Sequence, residues 1–412
     1  MNIVIQQLVP ESKTFEAGDL HFFVAYPETQ QIEVFDEKVL EFFEAISKKL
    51  MQHPDLGKIP EIVALAFWLR KGNLNQIVKE HQYLLESKRY KVYPLGTVFH
   101  ICPANVDTMF LYSLAISLLN GNKNILRVSN KLKDSYVWIL FDVINEILQD
   151  NFSFLKSHIR IISYERDTEI NTFFSVKCDA RIIWGGNETV NTFRKTESNV
   201  RGKDLVFADR YSAALVHSGA LISASETELK QLGAALYNDA YSFDQKGCSC
   251  PQLLFFLGDI EENQKAESML YSYLLKEANS RYQTDISSLA SLKLMQETMD
   301  AIRGNAKNIL NEKTELVFCE LAENAALPEN CGGGYFYTRK FGEIKELEFM
   351  MGKGFQTLTY WGLNKDQIEM LANVSAGKGI DRIVPVGKAL EFGHIWDGYN
   401  LVEELMSRKL IL

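Results

Sequence analysis

A cysteine stands where a polar turn meets an apolar run. Phe243-Asp244-Gln245-Lys246-Gly247-Cys248-Ser249-Cys250-Pro251-Gln252 is followed directly by Leu253 to Leu257. A thiol between a turn and a buried strand can be held rigidly and still face a cleft. A nucleophilic cysteine needs this placement, because the thiolate is the reactive form and its pKa follows neighbouring charges and dipoles. Lys246, two residues before Cys248, could favour that thiolate. The same residues would equally suit a turn whose small side chains merely pack, since free cysteine is often simply buried.

Three further stations carry residue types with chemical use. Ile101-Cys102-Pro103-Ala104-Asn105-Val106-Asp107 joins an extended segment to a helix, and the Asn105 amide could donate to a developing oxyanion or simply satisfy turn geometry. Asn124-Ile125-Leu126-Arg127-Val128-Ser129 is a strand ending in a cation and a hydroxyl, groups that at such an end meet a ribose or phosphate, or else water. Ile182-Ile183-Trp184-Gly185-Gly186-Asn187 sets a diglycine between strand and helix, where backbone amides can approach a pyrophosphate or nicotinamide. It is not G-x-G-x-x-G. Cys331-Gly332-Gly333-Gly334 has no following G-K-[ST] and reads as a flexible turn. His100 and His394 could donate protons, although a core or surface histidine is the simpler reading of each. The seven histidines are scattered and no H-E-x-x-H or paired Cys/His cluster is present, so no metal site is expected.

These residues need elements to position them, and the chain supplies alternating ones. From Lys91 onward, apolar strand runs (Val92–Ile101, Asn124–Val128, Ile159–Ser163, Ala180–Trp184, Val206–Phe207, Ala213–Val216) alternate with helical stretches, which implies parallel βαβ units. The spacing predicts helices at 37–51, 60–70 (with Gly72 as its C-terminal cap), 226–241, 263–282, 286–303 and 401–409. We expect an α/β protein in four parts. Residues 1–90 form an N-terminal helical adaptor region, 91–240 a Rossmann-like dinucleotide-binding domain, 241–380 a catalytic cysteine domain, and 381–412 a C-terminal segment that returns to the cofactor domain or an oligomer interface.

Composition narrows the class. The 412 residues exceed one simple core, and 46% hydrophobic with 24% charged residues is ordinary for a globular protein. A net charge of −9 without a Lys/Arg block argues against a nucleic-acid surface. The six cysteines are dispersed apart from Cys248 and Cys250, which suggests reduced thiols and a cytoplasmic setting. The longest apolar run, Ile62 to Leu69, is too short for a membrane span.

Taken in order, these stations resemble the LuxC-like acyl-CoA reductase family, the fatty-acyl reductases of bacterial bioluminescence, within the aldehyde dehydrogenase superfamily. Pro103-Ala104-Asn105 is similar to the superfamily's Pro-x-Asn turn, and Leu126-Arg127-Val128-Ser129 to its Lys-Pro-Ser strand end. Trp184-Gly185-Gly186 resembles the family's Trp-Gly-Gly, and Phe207-Ala208-Asp209-Arg210-Tyr211-Ser212 a signature after the next strand. Arg382-Ile383-Val384-Pro385-Val386-Gly387 and Ile395-Trp396-Asp397-Gly398-Tyr399 resemble the closing motif. Arg127 departs from the usual Lys. The superfamily's Glu-Leu-Gly-Gly, whose Glu activates water, has no counterpart, and Phe207 falls near its place.

The resemblance implies an aldehyde-dehydrogenase-like fold, with a Rossmann-type cofactor domain and a second α/β catalytic domain. It implies that Cys248 accepts an acyl group from acyl-CoA or an acyl-protein thioester while Asn105 steadies the oxyanion. Arg127, Ser129, Gly185 and Gly186 would hold NADPH, or NADH, and the product would be an aldehyde. Cys250 competes for the nucleophile role, because superfamily spacing allows a shift of one or two residues. Other implied readings are a γ-glutamyl-phosphate-type acyl-phosphate reductase and a scaffold subunit that docks an acyl-transferase or synthetase partner. A homo-oligomer is expected by analogy with superfamily members that dimerise through a C-terminal strand.

Overall fold

The computed structural model describes residues 4–25, 31–103, 108–130, 136–323 and 325–411. Its contacts divide the chain into two compact units, Met1–Asp209 with Phe392–Leu412, and Arg210–Glu391.

The first unit is built on strands β1 (Val4–Val9), β2 (Lys13–Glu16), β3 (Tyr90–Pro94), β4 (Thr97–Ile101), β5 (Lys123–Val128), β6 (Ile159–Ser163), β7 (Ala180–Trp184) and β8 (Lys203–Phe207). Seven of them form one sheet in the order β2-β1-β6-β5-β4-β7-β8. The five strands from β4 to β8 are parallel, whereas β1 is antiparallel to both β2 and β6. Counted along the chain from β4, this is the 3-2-1-4-5 order of doubly wound dinucleotide-binding sheets, in which ligands meet the carboxyl ends at the reversal of strand order. That reversal lies between β4 and β7. Every residue of β6 and β7 is buried, as expected of strands covered by helices on both faces.

The N-terminal ninety residues are not a separate adaptor. β1 pairs with β6, and helix Glu37–Gln52 buries Val39, Leu40, Phe42, Phe43, Ile46 and Leu50 in the same core as Leu114, Ile144 and Leu148. Gly72 lies inside a further helix, Lys71–Glu80, and does not cap the preceding one, which ends at Trp68. The expected helix 401–409 stops at Glu404. Met406–Leu410 is instead a strand paired antiparallel with β3.

The second unit contains β9 (Tyr211–His217), β10 (Pro251–Leu257), β11 (Ala306–Lys313), β12 (Leu316–Leu321), β13 (Tyr335–Phe341), β14 (Phe355–Trp361) and β15 (Arg382–Pro385). They form a sheet in the order β11-β12-β13-β10-β9-β14-β15, parallel except at β11–β12. The division expected near residue 240 falls at 209/210 instead. Both β9 and helix Glu226–Tyr241 therefore belong with the cysteine turn. That helix begins at a capping box, Ser225 with Glu228, and delivers the chain to the turn ahead of the central strand β10. Residues 381–391 also stay with this unit, and only residues from Phe392 onward return to the first.

Candidate active site

The cysteine turn crosses the amino end of β10, between the starts of β9 and β13. Asp244 and Gln245 have φ of +51° and +56°, two successive non-glycine residues in the left-handed region. Such residues cost on the order of 1–3 kcal/mol each and persist only where their surroundings hold them. Here the holding groups are explicit. The Tyr282 hydroxyl donates to Asp244 Oδ1, and Gln245 N–H donates to Ala240 O at 2.8 Å. The Gln245 side chain is buried and bonded on three sides.

Cys248 itself is half-buried, and its carbonyl accepts from Ser212 Oγ at 2.6 Å. Cys250 is wholly buried, and burial pushes its thiol well up, so it is held as the neutral SH. The two cysteines therefore part company: one at the turn's surface, one in the packing. Lys246 does not approach as an isolated cation, because its Nζ pairs with Asp244 Oδ2 at 2.9 Å.

The Cys331-Gly332-Gly333-Gly334 turn lies against the cysteine turn and is built, not flexible. Its three glycines have φ of +77°, +64° and +80°. A Cβ on Gly332 would come within 2.7 Å of Asp244 O, and one on Gly334 within 2.1 Å of the Tyr241 hydroxyl. Only glycine fits there. Cys331 is the other half-buried thiol, and burial raises it to about 11 despite the nearby Lys293.

The carboxyl ends of the first unit's strands hold the remaining stations. Asn105 lies outside the described residues. Arg127 is the last residue but one of β5, with its guanidinium 4.8 Å from the Tyr164 ring centroid, and among the described residues its buried Nε has no hydrogen-bond partner. Ser129 follows directly, half-buried. Gly185 and Gly186 join β7 to helix Asn187–Lys195, but the anion position at that helix start is already filled. Asp209 Oδ2 accepts from Asn187 N–H at 2.8 Å and would stand 3.0 Å from a Cβ on Gly186. A cofactor phosphate at this N-terminus would have to displace the carboxylate, so the diglycine alone is a weaker anion site than its sequence suggests.

Phe207, near the place of the superfamily's water-activating Glu, stacks on Trp184 with centroids 3.8 Å apart and planes 12° from parallel. Trp184 also touches Trp396 of the closing motif, and its Nε1 donates to Ser113 Oγ at 3.1 Å. Ser113 Oγ in turn meets His100 Nδ1 at 2.7 Å, and His100 Nε2 meets Asn124 Oδ1 at 3.0 Å. His100 is fully buried, and desolvation pushes it down to about 3. It is a neutral structural histidine and not a proton donor. His394 lies 3.6 Å from Glu80, and burial lowers its pKa. Among the described residues, no group of three His, Cys, Asp or Glu could hold a metal ion. No helix among them is long and apolar enough to cross a membrane.

Ser212, Gln245 and Asp209 were not singled out as site residues by the sequence. Ser212 and Asp209 sit in a quoted motif and Gln245 in the cysteine stretch, but nothing local marks their hydrogen bonds.

The two sheets have the fold of aldehyde dehydrogenases. An oxidoreductase from Marinobacter aquaeolei superposes with a TM-score of 0.69 at 12% identity, covering 100% of this chain and 94% of its own. Aldehyde dehydrogenase 21 from Physcomitrella patens, solved with succinate, gives 0.67 at 12% identity, with 96% and 88% covered. Betaine aldehyde dehydrogenase from Staphylococcus aureus, solved with NAD+, gives 0.66 at 14% identity, with 100% and 90% covered. No curated protein matches in sequence. The family described as acyl-CoA reductase (LuxC) matches residues 31–408, and the chain belongs to it. Family and fold together define an oxidoreductase acting on acyl or aldehyde groups.

Proposed function

We propose that this protein reduces an activated fatty acyl group, carried by coenzyme A or by a partner protein, to the aldehyde through a thioester on Cys248. The observation that carries the reading is the contrast between the two cysteines of the turn. Cys248 is half-buried with its backbone fixed by Ser212, while Cys250 is sealed in and neutral. Cys248 Sγ attacks the acyl carbonyl, and Asn105 with the Cys248 N–H steadies the tetrahedral oxyanion. The carrier thiol leaves with the proton, which gives the acyl-enzyme. A nicotinamide dinucleotide, when bound, supplies the hydride that reduces this thioester. Collapse of the thiohemiacetal frees the aldehyde and restores the thiol.

The residues at the end of β5 suit such a cofactor, and those at the end of β7 would do so once Asp209 gives up the helix N-terminus. Arg127, whose Nε has no hydrogen-bond partner among the described residues, stands at the carboxyl end of β5, where doubly wound folds meet the adenosine ribose. Ser129 follows it, with Gly185 and Gly186 at the end of β7. The continuation Val128-Ser129-Asn130 holds no carboxylate to claim a ribose 2′-hydroxyl, which together with Arg127 favours NADPH over NADH. Phe207, stacked on Trp184, falls near the place the resemblance gives to the superfamily's water-activating Glu, which supports release of the acyl group as aldehyde and not as acid.

The test follows NADPH oxidation over a panel of acyl-CoAs, with intact-mass detection of the acyl-enzyme in Cys248→Ser and Cys250→Ser. Acylation lost only in Cys248→Ser supports the reading. Normal acylation in Cys248→Ser removes it, turnover of acyl phosphates alone points to the acyl-phosphate reductase, and no turnover with any donor points to a scaffold.

A further inference from the structure

We infer that Gln245 is a positioning residue for the Cys248 thiol, an inference that rests on Cys248 being the acyl acceptor. The Gln245 carboxamide is buried and fully engaged. Its Nε2 donates to Pro251 O at 3.0 Å and to Tyr335 O at 3.2 Å, and its Oε1 accepts from Gly334 N–H at 2.8 Å. Two carbonyls on one end and an N–H on the other fix which way the amide points.

These partners belong to three pieces of the site. Pro251 opens β10 three residues after Cys248, Tyr335 opens β13, and Gly334 ends the triglycine turn. One side chain therefore ties the cysteine turn to the strand that follows it, to the neighbouring strand and to the turn beside it. Its own backbone is left-handed, and its N–H is bonded to the end of helix Glu226–Tyr241. Ser212 holds the Cys248 carbonyl on the opposite, β9 side. The turn that carries Cys248 is thus held on one side through Gln245 and on the other through the Ser212 bond to the Cys248 carbonyl.

A nucleophile reacts well only when its orbital and the carbonyl carbon meet within a narrow range of distance and angle, and a misplacement of about 1 Å can cost about 100-fold. Gln245 acts on that term and not on thiol chemistry as such. Without it, Pro251 O and Gly334 N–H lose their bond to this side chain and Tyr335 O keeps only Asn330 Nδ2, so the tie between the cysteine turn, β10, β13 and the triglycine turn is cut while the thiol remains.

The experiment uses the full-length protein with Gln245→Ala, Gln245→Asn and Gln245→Glu. The acyl-enzyme is timed by quenched-flow intact mass, with whichever of octanoyl-, dodecanoyl- or hexadecanoyl-CoA acylates wild type fastest. In parallel, iodoacetamide labelling of Cys248 is timed by peptide mass, and folding is checked by circular dichroism. Positioning predicts acylation slowed about ten- to hundredfold in Gln245→Ala, with iodoacetamide labelling within about threefold of wild type, because a small reagent needs no fixed approach. Gln245→Glu adds a pH signature. Its carboxylate keeps the acceptor for Gly334 N–H but faces two carbonyls, and protonation restores one donor, so acylation recovers relative to wild type as pH falls.

Wild-type acylation in any folded variant overturns the inference, as does a loss of acylation matched by an equal loss of labelling. If Gln245→Ala does not fold, the Asn and Glu variants decide by the same rates. Acylation surviving in Cys248→Ser, or no acyl-enzyme in wild type with any of the three donors, is a different failure: it removes the parent reading whatever Gln245 does.

Discussion

Ser212 donates its hydroxyl to the carbonyl oxygen of Cys248 at 2.6 Å while its own oxygen accepts from Thr357 N–H at 3.1 Å. One buried serine thus links the candidate nucleophile to strands β9 and β14. Ser212→Ala leaves a buried N–H unpaired and releases the cysteine turn on that side. The expected cost is about 1–3 kcal/mol of stability, read as a lower urea midpoint, together with slower acyl-enzyme formation in the protein that remains folded.

Cys250 provides the contrasting substitution. Its thiol packs without exposure, and a Cβ on Gly247 would come within 3.1 Å of its sulfur. Cys250→Ser should keep the ability to form an acyl-enzyme but lose about 1–3 kcal/mol by burying a hydroxyl in a space shaped for sulfur. Thermal unfolding beside intact mass separates the two effects. A stable Cys250→Ser protein that cannot be acylated would reverse the assignment of the two cysteines.

Much of this architecture is legible in the sequence, and the exceptions have physical causes. Ala180–Trp184 and Ile159–Ser163 read correctly because strands covered on both faces are dominated by apolar residues, here interrupted only by the buried Arg160, Ser163 and Arg181. The sequence reads as helix from Leu401 to Lys409, whereas Met406–Leu410 is a strand, since its strand character comes from pairing with residues more than 300 positions earlier, which no local pattern encodes. The unit boundary at Asp209/Arg210 passes without any Gly/Pro-rich linker, so the longer helix after it looked like the natural edge. For the site, the cysteine turn and the Trp-Gly-Gly junction were visible as residue types. The left-handed backbone at Asp244 and Gln245 was not, because nothing in Asp-Gln demands positive φ until Tyr282, Gly334 and Tyr335 are in place. The triglycine looked flexible for the same reason: glycine permits freedom, and only the neighbours show that it is used for close approach.

Arg127 tests the cofactor reading. Arg127→Leu keeps a side chain to pack on Tyr164 but removes the guanidinium. Loss of a charge-assisted contact should weaken NADPH binding about ten- to hundredfold and NADH binding less, measured by fluorescence titration of each reduced dinucleotide. Equal weakening for both would indicate that Arg127 does not meet the 2′-phosphate.

His100 sets an acid limit on the first unit. Its folded pKa of about 3 lies below the ordinary 6.5, so the stability that it contributes is complete above pH 6.5 and is lost as pH falls towards 3. Between pH 7 and pH 5 that loss is about 2 kcal/mol. His100→Gln, which can still bond Ser113 and Asn124, should show a shallower fall of the urea midpoint over this range. Parallel curves for the two proteins would contradict a neutral His100.

The return of residues 392–411 to the first unit makes that unit discontinuous in the chain. Trp396, Leu401, Val402, Leu405 and Met406 are buried in the first core, Asn122 Nδ2 donates to Leu405 O at 2.8 Å, and Lys203 Nζ donates to Glu404 O at 2.6 Å. A chain emerging from the ribosome presents residues 1–209 first, yet their core lacks this wall until nearly two hundred further residues have been made. Residues 210–391 carry a complete sheet of their own and need no later segment to finish it. The unit that holds the candidate nucleophile is therefore continuous in sequence, whereas the one expected to hold the cofactor is closed only by the last residues of the chain.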